Sequence, residues 1–239
     1  MSMKRGLKAQ YVTLFVIIAI ALIAIVLTAF LISKTAIPKT PKEISEIKSY
    51  VQSCLEDTSK QAILFMGQQG GYAEPKQYLE TNLGTTTYWI YNDTDYRPST
   101  RIMEESISQY VFYVLPLCLN SFNQFPKMNI TEGNLSVNSV IEENSVEIEV
   151  HYPIEIKEGE TSYRLENFSS SIPIELFDSY NLAIELSNLN NKIEEINQID
   201  KKELDAIVLQ YSEEDYIYII TDNRTKLLDK PFSLVFAIK

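Results

Sequence analysis

Apolar residues run almost unbroken from Tyr11 to Ser33, YVTLFVIIAIALIAIVLTAFLIS, with neither a charge nor a proline in the run. A helix of this length reaches about 34 Å, enough to cross a hydrocarbon core of about 30 Å, so the run predicts one transmembrane helix. Residues 34–41 form a linker in which Pro38 and Pro41 limit continuation of that helix. Apolar spacing then changes. Ile44, Ile47, Val51, Cys54, Thr58, Ala62 and Phe65 recur every three or four residues, one face of an amphipathic helix ending near Met66. Thr40, Pro41 and Glu43 read as its capping box, and Gly67, Gly70 and Gly71 as its stop.

A second helix is predicted over 101–121 from Met103, Ile107, Tyr110 and Val114, with Glu104 and Glu105 in its first turn and Pro116 ending or kinking it. Beyond residue 134 the period falls to two. Val146, Ile148, Val150, Tyr152, Ile154 and Ile156 alternate with polar neighbours, the mark of a half-buried strand, and Pro153 implies an edge or a bulge. A turn at 157–161 and a partner strand near 161–169 follow. Leu182, Leu186, Leu189, Ile193 and Ile196 predict a third helix over 177–197. Strands are expected at 206–211, 216–220 and 232–238, with Asp222 and Asn223 as a turn between the last two. The fold class is α+β: an N-terminal transmembrane helix, then a domain at 42–239 of about three helices and an antiparallel sheet. Its helical part is 42–121 and its mainly β part 134–239.

Charge supplies orientation. Lys4, Arg5 and Lys8 precede the apolar run and only Lys34 follows closely, so the positive-inside bias keeps residues 1–10 cytoplasmic and makes the C-terminal domain extracytoplasmic. A cleaved secretory signal is the alternative, though its apolar core is typically shorter, about 7–15 residues. The whole chain carries −11. With four basic residues and no acid in 1–34, the remainder holds 17 basic against 32 acidic residues, a net −15. So acidic a surface repels phosphate backbones, and no nucleic acid partner is expected. Five N-x-[ST] acceptors, at Asn92, Asn129, Asn134, Asn167 and Asn223, all follow the run and are glycosylation candidates of an exported domain.

The chain has two cysteines, Cys54 and Cys118, both on the exported side. Export makes a disulfide the natural reading; the alternative is two buried thiols packing as small hydrophobes. The single histidine, His151, lies among outward-facing glutamates of a strand and reads as a solvent-facing residue. No Gly-rich phosphate loop, H-E-x-x-H or G-x-S-x-G pattern occurs, and the acidic pairs read as solvated faces or turns. No catalytic residue, metal site or cofactor is assigned, and the domain is read as non-catalytic. Tyr72, Tyr88, Trp89, Tyr91 and Tyr96 crowd a turn-rich stretch and are the binding candidates, because aromatic rings give large contact area at low entropy cost. The alternative is that Tyr88 to Tyr91 form a strand packing inward.

Lys4-Arg5-Gly6-Leu7-Lys8-Ala9-Gln10, followed directly by the apolar run, resembles archaeal type IV pilin-like precursors with class III signal segments. The resemblance implies cleavage before Gln10 and packing of the exposed helix in a filament core, hence a homo-oligomer. The remainder, through Cys54-Leu55, Gly67 to Tyr72, Tyr88-Trp89, Pro98-Ser99 and Cys118-Leu119-Asn120, is similar to a group of uncharacterised archaeal single-span membrane proteins; that likeness implies topology and no mechanism. Two functions follow as expectations. One is a membrane-anchored cell-surface protein acting in adhesion, envelope structure or binding of a protein or surface glycan, held in lipid by residues 11–33. The other is a pilin-like filament subunit.

Overall fold

In the computed structural model of the chain, the structure describes residues 42–81, 84–189 and 203–239, together with Ile23. Helix α1, Lys42–Gln68, buries the predicted stripe of Ile44, Ile47, Val51, Cys54, Thr58 and Ala62, widened by Leu55, Ile63 and Met66. Thr40 and Pro41, read as its cap, lie outside the described residues. Gly67 does not stop the helix. It lies inside it, where a Cβ would stand 2.4 Å from the Ser233 carbonyl oxygen and 2.6 Å from the Phe232 ring. Its missing side chain is what lets α1 approach the sheet so closely.

Strands β1 (Tyr78–Thr81), β2 (Gly84–Tyr91) and β3 (Thr94–Asp95) follow α1, in the turn-rich stretch that interrupts the part 42–121 expected to be helical; Tyr88 to Tyr91 form the strand that was the alternative there. Helix α2, Thr100–Leu119, is capped by Ser99, whose Oγ accepts the Ile102 N–H at 3.3 Å. Neither Glu104 nor Glu105 is in its first turn; Glu104 instead accepts the Ile141 N–H at 3.0 Å. The helix continues through Pro116 to Leu119 and is closed by Asn120 in a left-handed conformation, with the Asn120 N–H on the Pro116 carbonyl.

Strands β4 (Asn129–Glu132), β5 (Ser136–Ile141), β6 (Ser145–Glu158) and β7 (Thr161–Pro173) form an antiparallel sheet around β6. The predicted alternation holds: Val146, Ile148, Val150, Tyr152, Ile154 and Ile156 are all buried. Pro153 marks a bulge, not an edge. β7 pairs along one side of β6, while β5 and β4 share the other, and the register shifts between His151 and Ile154.

Helix α3, Leu176–Asn188, realises the first part of the third predicted helix; residues 190–197 lie outside the described residues. Strands β8 (Asp205–Gln210), β9 (Tyr216–Leu227) and β10 (Lys230–Ile238) complete the second sheet, in the order β1-β2-β10-β9-β8 with β3 beside β2. This sheet is mixed, since β2 and β10 run parallel, whereas a purely antiparallel one was expected. Asp222 and Asn223 sit inside β9; the hairpin turn is Leu228-Asp229, both with positive φ (51° and 62°), as a two-residue turn requires.

Residues Lys42–Lys239 form one compact unit. α1 is its spine, packing against α2, β7 and β10, so that a single buried cluster extends from one sheet to the other. Among the described residues no helix is long and apolar enough to cross a membrane; the run 11–33 predicted to do so lies outside them apart from Ile23.

Candidate functional site

Cys54 of α1 and Cys118 of α2 form a disulfide, with Cα atoms 5.8 Å apart. Around it Tyr50 Oη donates to the Cys118 carbonyl at 2.8 Å, and the Tyr50 ring meets Phe122 and Phe125 edge-on. The crosslink and these rings secure the last turn of α2 despite Pro116.

The predicted aromatic surface divides. Trp89 is fully buried, its Nε1 donating to the Gly70 carbonyl at 2.8 Å and its ring stacked on Phe236. Tyr88 is also buried and donates to Asp215 Oδ1 at 2.7 Å. Tyr72 donates to the Tyr96 carbonyl at 2.6 Å, fastening two turns together. Tyr91 is half-buried, against Tyr88 and 5.8 Å from the Lys239 ammonium. Trp89 and Tyr88 are therefore core, not recognition surface. The reason is what packs over each face of β2: Trp89 is covered by the Gly70 turn, Phe236 and Tyr180 of α3, and Tyr88, on the opposite face, by Asp215 and Tyr91. Gly70, at φ 64°, supplies the close turn; a Cβ there would stand 2.9 Å from the Val235 carbonyl.

All five sequon asparagines are exposed. Asn92 is in the tight turn between β2 and β3, Asn129 opens β4, Asn134 lies between β4 and β5, Asn167 is on β7 and Asn223 on β9. Asn167 Oδ1 lies 2.9 Å from His151 Nδ1, and both line a shallow, open depression of about 460 Å³ with Asn138, Glu149 and Ser169. His151 is solvent-exposed on this outer face. Asn223 Nδ2 donates to Asp205 at 2.6 Å.

Three polar clusters escaped sequence reasoning because their members are far apart in the chain. Arg224 binds the buried Asp222 through Nε and Nη2, at 2.9 and 2.8 Å, and reaches Glu175 and Asp178 at the start of α3 through Nη1. Arg97 joins Asp95 to Asn188, and its hydrogen bonds hold the Asp95 carboxyl below the usual range. Burial pushes the Asp215 carboxyl up, but hydrogen bonds from Ser212 and Tyr88 and the nearby Lys239 charge outweigh it and leave the carboxyl below its ordinary value. Burial, then the Asp215 contact, raises the Tyr88 phenol. Each cluster ties one element to another, and Glu175 and Asp178 of the first also line an open surface depression of about 450 Å³ with Glu143 and Asn181. Among the described residues, no group of three or more His, Cys, Asp or Glu side chains is placed to hold a metal ion.

The exposed apolar side chains offer another kind of site. On β8, last in the strand order of its sheet, Ile207 and Leu209 alternate outward, 53 % and 48 % exposed, with Tyr211 just beyond. No family model, curated protein or solved structure matches the chain.

Proposed function

We propose that this chain is a single-pass, membrane-anchored cell-surface protein whose head, residues 42–239, acts by contact in adhesion, envelope structure or partner binding, without catalysis. The Cys54–Cys118 bond carries the reading. Disulfides persist in oxidising compartments and are rare in the cytosol, so the bond supports an extracytoplasmic head. The basic residues Lys4, Arg5 and Lys8 before the apolar run support the same orientation, with the N-terminus cytoplasmic. Apolar positions outward on β8 suit a protein partner, since strands ending a sheet pair readily with further chains. The exposed sequons suit a glycosylated surface.

The test is protease shaving of intact cells, followed by mass mapping without reductant. A head shaved from outside, with Cys54 and Cys118 peptides linked, is the expected result. A head cut only after lysis, or two alkylatable thiols, overturns it.

A pilin-like subunit is the second reading, favoured by Lys4 to Gln10 lying directly before the apolar run. N-terminal sequencing of the native protein separates the two. A chain beginning at Gln10 makes it the pilin-like subunit; one beginning at Met1 or Ser2 removes that reading.

A further inference from the structure

We infer that the head rests on the bilayer surface through an uncharged ridge of α2 made by Phe112, Tyr113 and Leu117. This contact rests on the membrane-tether reading of residues 11–33. The three side chains are 43 %, 62 % and 75 % exposed, and the Phe112 and Tyr113 rings meet edge-on with centroids 5.2 Å apart. Single exposed apolar residues are ordinary, but three clustered on one helix are not.

The surrounding sequence identifies the occupant. From Ser106 to Pro126 there is no Asp, Glu, Lys or Arg, although 22 % of the chain is charged and the residues beyond 34 carry −15. An acidic surface is repelled by anionic headgroups, so the stretch of this interval beyond Gln109, whose side chain meets the Glu74 carboxylate, is where the head approaches lipid at least cost. Its residue types match the two layers of a bilayer surface. A tyrosine hydroxyl sits among headgroups while the ring and a leucine enter the acyl boundary.

Chain connectivity adds a second argument. The apolar run ends at Ser33 and α1 begins at Lys42, and the eight residues of 34–41 reach at most about 27 Å when fully extended. A head held so close meets lipid at high effective concentration, and three side chains are then enough for a reversible contact. The ridge needs no ordering on contact. α2 runs back along α1, with Phe65 against Tyr110 at one level and Cys54 bonded to Cys118 at another, and Leu117 is next to that crosslink.

The test uses the full chain reconstituted in phosphatidylcholine vesicles, as wild type and as Leu117→Trp and Ile207→Trp variants. Wild type supplies the background of buried Trp89, and near-UV circular dichroism checks each fold. The expected result is that emission from position 117 is blue-shifted and quenched at least two-fold by brominated phosphatidylcholine, while position 207 is quenched by aqueous acrylamide instead. If position 117 behaves like 207 while the chain resists carbonate extraction, the tether stands and the lipid contact is overturned. If carbonate releases the chain, both fall. Shielding of position 117 from both quenchers that grows with protein-to-lipid ratio assigns the ridge to a second copy and overturns the lipid assignment.

Discussion

Trp89 lies flat on Phe236, ring centroids 4.2 Å apart and planes 19° from parallel, although the two residues stand 147 positions apart in the sequence. Phe236 stacks in turn on Tyr218, at 5.0 Å and 6°. This aromatic column joins three strands, β2, β10 and β9, and α3 closes it through Tyr180, 6.1 Å from Trp89.

Replacing Trp89 by Ala removes the column's fully buried first member. The expected cost is about 3–5 kcal/mol, with a smaller loss for Trp89→Phe, which keeps the stack but not the bond to Gly70. Urea denaturation followed by far-UV circular dichroism measures both. An Ala variant as stable as wild type would show that this column does not hold the sheet.

Gly67→Ala tests the close approach of α1 to β10. Helix propensity by itself favours alanine by about 1 kcal/mol. The new methyl would meet the Ser233 carbonyl and the Phe232 ring, so a net destabilisation of about 1–3 kcal/mol is expected. A higher melting temperature for the variant would mean that the helix end moves freely off the strand.

Cys54→Ser with Cys118→Ser opens a crosslink spanning 64 positions. Chain entropy assigns such a loop about 4 kcal/mol. Dithiothreitol acting on the wild type, in which Cys118 is exposed, is expected to lower the melting temperature as the double variant does, and to leave the variant unchanged.

The Tyr88–Asp215 bond sets a pH window. The Asp215 carboxyl is held below its ordinary value, so its contribution is present above the unfolded-state pKa, about 3.9, and is lost as pH falls through the lower folded value. The Tyr88 phenol is raised, so its contribution is whole below about pH 10, the unfolded value, and declines as pH rises through the folded one. Tyr88→Phe is expected to cost roughly 1–2 kcal/mol at pH 7 and to flatten both limbs of a stability–pH profile. Identical limbs in wild type and variant would place the pH dependence elsewhere.

Features set by near neighbours in the chain could be read from the sequence, and those set by remote segments could not. The period-two run at 146–156, the partner strand, the stripe of α1 and the presence of α2 were all legible, because each depends on neighbours within a few residues, whereas Pro153 read as an edge or a bulge until the strands paired on both sides of β6 made it a bulge. The range 101–121 read for α2 matches the observed Thr100–Leu119, but the effect read for Pro116, an end or a kink, was a local signal: the helix runs on to Leu119, and Tyr50 and Cys54, more than 60 positions earlier, hold its last turn. Asp222 and Asn223 looked like a turn for the same local reason. The Asp222 carboxyl is instead taken by Arg224, which also reaches Glu175 and Asp178, and the chain continues as strand. The site followed this division too. The pairing of the only two cysteines and the exposure of the sequon asparagines could be anticipated from composition and motif, whereas the aromatic segment could not be assigned to surface or core.

The amino-acid sequence alone determined the long apolar run, the acidic balance beyond it, the single possible cysteine pairing and the alternation that separates the two faces of β6. These are properties of composition or of short-range periodicity. Tertiary structure alone decided that β2 runs parallel beside β10, that Trp89 is interior and that Phe112, Tyr113 and Leu117 are left facing outward. A side chain's surroundings depend on which remote segments pack over it, and the close-packed interior accepts an arrangement only when all those segments fit together.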